Sequence, residues 1–209
     1  MNTATEYLLI VEDDPDILQL LNAALTFRGY RVITARNGKE GLEAIQRKRP
    51  AIVIADIMMP TLDGFGLVHR MRINPQTRDI PVVFITATYV AREDRDFALS
   101  IGAARFLQKP LDLDKFLGMI AELLEERLPA APQPFNELEF YSEYRRRLEA
   151  KLEEKNRQIA RDQHLLGTEA DKEDPSFQAS LHHTMREREE LQLLLVQVQE
   201  QLTKYARSE

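Results

Sequence analysis

From residue 7 to residue 128 the chain alternates between short apolar runs and longer stretches in which apolar residues recur every three or four positions. The runs occupy 7–11, 31–35, 51–55, 82–86 and 104–108. Each is about five residues long and β-branched or apolar almost throughout, the pattern of parallel strands buried on both faces. Helical spacing fills 16–28, 38–49, 64–73, 92–101 and 112–128. In the first of these stretches Ile17, Leu20, Leu21, Ala24 and Leu25 share one side, and Gly29 follows as a stop. Five strands alternating with five helices predict an α/β architecture, a five-stranded doubly wound parallel sheet with helices on both faces. Such sheets bind their ligands beyond the carboxyl ends of the strands, where the strand order reverses.

No helix crosses the segment Pro129-Ala130-Ala131-Pro132-Gln133-Pro134, so a Pro-rich linker at 129–135 is expected to divide residues 1–128 from 136–209. Past the linker, Glu, Arg, Gln and Leu dominate, and Gly167 and Pro175 are the last glycine and proline of the chain. Two long helices are expected, about 136–166 and 176–207, separated by a charged turn. A stripe from Leu138 through Tyr141, Leu148 and Leu152 to Ile159 marks the first, and one from Leu181 through Leu191 and Leu195 to Leu202 marks the second. Folded back antiparallel, Leu166 meets Phe177, Leu152 meets Leu191, Leu148 meets Leu195 and Tyr141 meets Leu202 in a single register. The result is an all-α helical hairpin or coiled coil. The same register sets Lys155 against Arg188, a flaw in a hairpin closed on itself. So thin a hairpin buries little, and its apolar face is expected to meet a second copy of the chain, as a homodimer, or another protein downstream.

Composition narrows the choice. A chain of 209 residues with 44% hydrophobic residues can build one ordinary domain plus an extra element. Without cysteine there are neither disulfides nor thiolate sites. A net charge of −6 argues against a nucleic-acid surface. The segment 136–209 holds 16 acidic residues against 12 basic ones, so Arg145-Arg146-Arg147 reads as a solvated turn of helix. No apolar stretch reaches the roughly 20 residues of a membrane span, and no charged start leads into an apolar segment. A cytoplasmic protein without a membrane partner is therefore expected.

The chemistry-bearing residues collect at the ends of the runs. Glu12-Asp13-Asp14 follows the first, Asp56 the third, Thr86 closes the fourth, and Lys109-Pro110 follows the fifth. By the rule for open sheets these ends converge. Carboxylates facing one another repel, and a hard divalent cation with oxygen ligands, Mg²⁺ above all, is the usual remedy. Lys109 could offer a second positive charge to phosphoryl oxygens and Thr86 a hydroxyl donor, leaving Asp56 as a nucleophile that forms an acyl phosphate. Phosphoryl transfer asks mainly for positioning and charge compensation, so a site this sparse suffices.

In order and spacing, Val11-Glu12-Asp13-Asp14, Asp56-Ile57-Met58-Met59-Pro60 with Asp63-Gly64, Ile85-Thr86-Ala87, and Phe106 with Lys109-Pro110 make residues 5–128 resemble the receiver domain of two-component response regulators. The resemblance covers about 60% of the chain and leaves the tail unexplained. It implies the flavodoxin-like receiver fold and a histidine kinase partner that phosphorylates Asp56. It implies Mg²⁺ held by Asp13, Asp56 and the main-chain carbonyl of Met58, with Glu12 acting through water. It also implies that Thr86 and Phe106 move as switch residues that carry the signal to the face of the fourth helix, fifth strand and fifth helix. A homodimer is therefore expected through that receiver face or the helical tail. The resemblance further implies that a cis peptide joins Lys109 to Pro110. Met58 and Thr88, two residues after Asp56 and Thr86, offer no acid or amide to orient a water, which implies a long-lived phosphoryl group.

Plainer roles compete for some of these residues. Asp14 is expected to cap the helix beginning near Asp16, and Met58-Met59 to serve packing. His182 and His183 invite a phosphotransfer reading, but they flank stripe positions without a kinase motif, and a solvated helix face is expected. The chain has no glycine-rich nucleotide-binding segment, so a phosphoacceptor module is expected rather than an enzyme with its own catalytic output domain. Two outputs follow from the tail: protein–protein interaction or dimerisation, or a signalling helix leading to an enzymatic domain of a longer regulator, since no helix stop precedes Ser208-Glu209.

Overall fold

The structure is a computed structural model and describes residues 7–87, 91–125, 136–165 and 175–206. The expectations for Thr88, the linker 129–135 and Leu166 lie outside the described residues, as does that for the Phe177 side chain. Two compact units are formed, residues 1–135 and 136–209.

In the first unit the elements run β1 (Tyr7–Val11), α1 (Pro15–Phe27), β2 (Arg31–Ala35), α2 (Gly38–Arg47), β3 (Ile52–Asp56), α3 (Gly64–Ile73), β4 (Val82–Thr86), α4 (Arg92–Ser100), β5 (Arg105–Gln108) and α5 (Leu113–Glu125). The strands form one parallel sheet in the order β2-β1-β3-β4-β5. This is the doubly wound architecture that the alternating pattern predicts. Alternation along the strands serves both faces. Leu8, Ile10, Ile52, Ile54, Val83 and Ile85 bury one face against Leu21 and Leu25 of α1 and Phe116, Ile120 and Leu123 of α5. On the other, Val11 lies against Gly41 of α2, and Phe84 meets Phe65 of α3 edge-on at 5.4 Å. Phe65 in turn meets Phe97 of α4 at 5.0 Å. Each fully buried Leu, Ile or Phe stabilises by about 1.5–3 kcal/mol, so these two layers hold the sheet.

Burial on both faces holds for β1, β3 and β4 but not for the outer strands. β2 exposes Arg31, Ile33 and Thr34, and β5 is only half-buried. An outer strand has one neighbour instead of two, and solvent reaches its free edge. Local signals set the helix starts. The Asp14 carboxylate accepts from the amides of Asp16 and Ile17 at 2.9 and 3.2 Å, which is the expected cap. The Asn37 side chain caps α2 by accepting from the Glu40 amide at 3.0 Å, and the Glu40 carboxylate accepts from the Arg36 amide and the Asn37 side chain. Asp63 caps α3 through the Gly66 amide at 2.8 Å.

In the second unit α6 (Glu137–Leu165) and α7 (Pro175–Ala206) pack on each other. Tyr141 faces Tyr205 at 5.9 Å and Arg145 reaches Gln199 at 3.5 Å, so the helices run antiparallel in nearly the expected register. Two details differ. Lys155 meets Glu187 at 2.8 Å, one residue from the Arg188 expected opposite it, so the supposed flaw is an ion pair. Leu138 is exposed, and Phe140 and Tyr144 are buried in its place, while on α7 Leu194 is buried deeper than Leu195. A straight helix has 3.6 residues per turn, so a strict heptad stripe drifts around it by about 20° per heptad and the buried line moves onto neighbouring positions.

The Lys155–Glu187 pair is about 85% removed from solvent on both sides, with 14% and 15% of each side chain exposed. Breaking such a pair leaves a charge without its partner, and the pair can fix register. Lys155→Glu should lower the stability of the helical hairpin by about 1–3 kcal/mol, and Lys155→Glu with Glu187→Lys should restore most of it. Urea unfolding followed by ellipticity checks this; a double variant no more stable than the sum of the singles would show that the pair does not set the register.

Candidate functional site

The parallel order sets the carboxyl ends of β1 and β3 side by side, with β4 beside β3 and β5 beside β4. Glu12 extends β1, its amide donating to the Ala35 carbonyl at 3.0 Å. Asp56 is the last residue of β3, in register with Ile85, and Thr86 is the last residue of β4. Lys109 follows β5 and donates its amide to the Thr86 carbonyl at 2.9 Å. The four segments that the sequence singled out therefore meet at one end of the sheet.

The Lys109 ammonium lies 2.8 and 3.1 Å from the two Glu12 oxygens and 3.2 Å from Asp56 Oδ2. The other Asp56 oxygen accepts from the Ile57 amide at 2.7 Å. Asp13 sits at the exposed rim, and one oxygen from each of Glu12, Asp13 and Asp56 lies within 4.8 Å of the others. Glu12, Asp56 and Thr86 are buried. Met58 is buried in the loop between β3 and α3, two residues past Asp56. Phe106 is half-buried on β5, in register with Phe84. The peptide between Lys109 and Pro110 is cis, as the resemblance implies.

No expectation covers the direct bond between Glu12 and Lys109: Glu12 is 1% exposed and its carboxylate accepts from the lysine. The signal available was its place as a continuation of the first apolar run, which takes it into the sheet's end and not onto a helix. Close packing on the chain around Asp56 also escapes a reading by residue chemistry. A Cβ on Gly64 would stand 2.3 Å from the Asp56 carbonyl oxygen and 2.9 Å from Ile57 Cα, so only glycine lets α3 begin this close to the end of β3. His182 and His183 are exposed on α7, with His183 Nε2 3.8 Å from Glu187.

Charge is out of balance at this site: three carboxylates face one ammonium. Burial pushes Glu12 up to about 7, the Asp56 charge adds to the rise, and Lys109 opposes it. Burial likewise raises Asp56 to about 6 against the pull of Lys109 and the Ile57 amide. Asp13, exposed by area yet crowded by its neighbours, is raised by desolvation as well. Burial works against a charged Lys109, but Asp56 and Glu12 outweigh it and its pKa rises. The all-oxygen donor set and the uncompensated negative charge fit a small hard divalent cation.

Residues 8–121 match the Response regulator receiver domain family. The chain belongs to it. Over 138 residues it is 36% identical to the transcriptional regulatory protein GlrR of Escherichia coli, a match covering 66% of this chain and 30% of GlrR. It is 43% identical over 105 residues to the response regulator PleD of Caulobacter vibrioides, covering 50% of this chain and 23% of PleD. The chain thus spans less than a third of either regulator's length. The crystal structure of a response regulator receiver domain protein from Methanospirillum hungatei superposes with a TM-score of 0.53 at 30% identity, covering 58% of this chain and 95% of that one. Receiver domains in general bind Mg²⁺ at an acidic pocket and work with a histidine kinase or a phosphotransfer partner. Among the described residues no helix is long and apolar enough to cross a membrane.

A Glu12 raised from an ordinary 4.5 to about 7 favours folding below its unfolded pKa, and that contribution is lost as pH rises through about 7. Glu12→Gln, an uncharged near-isostere, should therefore raise the metal-free melting temperature at pH 8 by several degrees, about 1–3 kcal/mol, and change it little at pH 5. Calorimetry in EDTA at both pH values tests this; an equal effect at both would show that the burial of the Glu12 charge is not what costs stability.

Proposed function

We propose that the chain is a phosphorylation-switched response regulator in which Asp56 takes a phosphoryl group from the phosphohistidine of a kinase. The observation that carries this reading is Asp56 itself: a buried carboxylate at the end of β3, 3.2 Å from the Lys109 ammonium and flanked by Glu12 and Asp13. An Asp56 oxygen attacks phosphorus, an O–P bond forms as the P–N bond breaks, and the imidazole nitrogen keeps the electron pair. Glu12, Asp13, Asp56 and the main-chain carbonyl of Met58 are the residues that would hold Mg²⁺. The cation would supply the charge compensation that three carboxylates and an incoming phosphoryl group demand.

The protein's own groups do the rest. Lys109 neutralises the phosphoryl oxygens, and the Ile57 amide, already within 2.7 Å of Asp56 Oδ1, holds the carboxylate's orientation. Thr86 closes on the phosphoryl group through its hydroxyl, and Phe106 follows it inward on the adjoining strand. The tail transmits the change by altering its contacts with a second copy or a downstream protein. That reading draws support from α7, which leaves Leu193 and Val196 65% and 57% exposed on the side turned from its buried stripe. The cytoplasm, where histidine kinases expose their catalytic parts, is the proposed location.

Incubation with a small phosphodonor and Mg²⁺ should label the full chain with an alkali-labile phosphoryl group, and Asp56→Asn should abolish the label. EDTA should reduce labelling by at least tenfold, since the uncompensated carboxylates would then repel the donor. An alkali-stable label that survives Asp56→Asn would point to a histidine such as His183 and overturn the assignment.

A further inference from the structure

The loop from Ile57 to Asp63 is closed by the Gly64 amide, which donates to the Ile57 carbonyl at 2.8 Å. Its far side makes a tighter bend. The Leu62 amide donates to the Pro60 carbonyl at 2.8 Å, a three-residue γ-turn, and Thr61 between them has φ 69°. A β-branched residue at positive φ is strained and persists only when its surroundings hold it there.

Leu62 supplies that hold. Its carbonyl accepts from the Gly38 amide at the start of α2 at 2.8 Å. A Cβ on Gly38 would stand 2.6 Å from the Leu62 carbonyl oxygen and 2.8 Å from its Cγ. A Cβ on Gly66, in the first turn of α3, would stand 2.6 Å from Leu62 Cδ1. The buried Leu62 side chain therefore occupies space that two missing Cβ atoms leave between α2 and α3. Main chain and side chain of one residue fix the loop to both helices.

Resting on the phosphoacceptor reading above, we propose that Leu62, seated between Gly38 and Gly66, is a positioning residue for cation binding and phosphoryl acceptance at Asp56. The loop it anchors contains Met58 and begins at the Ile57 amide that orients the Asp56 carboxylate. Loss of the seat frees the γ-turn to relax, and both groups lose their fixed relation to Glu12 and Asp13. Leu62 touches neither cation nor phosphoryl group. It acts through the loop.

Full-length Leu62→Ala, Leu62→Met and wild type are compared by Mg²⁺ titration calorimetry without phosphodonor and by the initial rate of labelling with one. All measurements are made at a temperature where ellipticity shows each protein folded. Leu62→Ala is expected to weaken Mg²⁺ binding about tenfold, the low end of the range for residues that orient metal ligands, and to slow labelling in parallel. Leu62→Met refills the seat and should stay within about twofold of wild type. A merely stabilising Leu62 would lower the melting temperature and leave Mg²⁺ affinity unmoved, and that result overturns the proposal. Should Leu62→Ala not fold, Leu62→Val carries the same expectation in smaller measure, with the same result against it. Wild type that neither binds Mg²⁺ nor accepts label overturns the phosphoacceptor reading instead; wild-type labelling with an unchanged Leu62→Ala overturns this one alone.

Discussion

One ammonium among three carboxylates is the constraint on which the rest of this site depends. Lys109 holds Glu12 and Asp56 together at 2.8 and 3.2 Å, yet a single positive charge cannot neutralise the cluster. The upward shifts of Glu12 and Asp56 are the cost of that imbalance under burial. A fold that only needed to be stable would have no reason to keep such a cluster, since apolar groups of similar volume are commonly neutral or better. Under the proposed function, what the imbalance would provide is affinity for a cation, and through it a place where an anionic phosphoryl group is tolerated.

The scaffold answers this demand with geometry. Parallel strands in the order β2-β1-β3-β4-β5 bring the ends of β1 and β3 together, and β4 and β5 complete the row. The apolar layers on the two faces fix the sheet, so the charged groups need no loop to hold them apart. Where loops do contribute, glycine removes the obstacle: Gly64 against the Asp56 carbonyl, Gly38 and Gly66 around Leu62. Lys109 is tied through its own amide to the Thr86 carbonyl, so the lysine and the buried threonine are parts of one strand-end arrangement.

Most of the fold was legible in the sequence because its signals are periodic. Five short apolar runs and five helical stretches suffice to describe a doubly wound sheet, and Asp14 reads as a cap from position alone. The edge character of β2 and β5 was not legible, since an apolar run carries no mark of how many neighbours it will have. In the tail the register could be read to within a residue, but Lys155 falls beside Glu187 instead of Arg188, and the buried line shifts to Phe140 and Tyr144. Spacing counts residues, whereas a straight helix falls about 20° short of two full turns in each heptad. The segments that carry the charged groups could be named from the sequence because each ends an apolar run. The direct Glu12–Lys109 contact and the seat of Leu62 could not, because they depend on distances of a few tenths of an ångström between segments far apart in the chain.

The same imbalance bears on how a phosphoryl group could act as a signal. It adds about −1.5 to −2 charges at pH 7 to a cluster already rich in negative charge. Lys109 cannot serve Glu12, Asp56 and three new oxygens at once, so accepting the group requires it to change partners. Because its main chain is bonded to the end of β4, under the proposed function that change would pass to Thr86, the buried hydroxyl residue there. Converting a mostly inactive population to a mostly active one takes about 5.5 kcal/mol of differential stabilisation. Hydrogen bonds to charged groups contribute about 1.5–3 kcal/mol each, so two or three of them, made to the phosphoryl oxygens in one state only, are enough. A lysine, a threonine hydroxyl and a loop amide are within the means of this site, and no larger rearrangement of the core is needed to supply the energy.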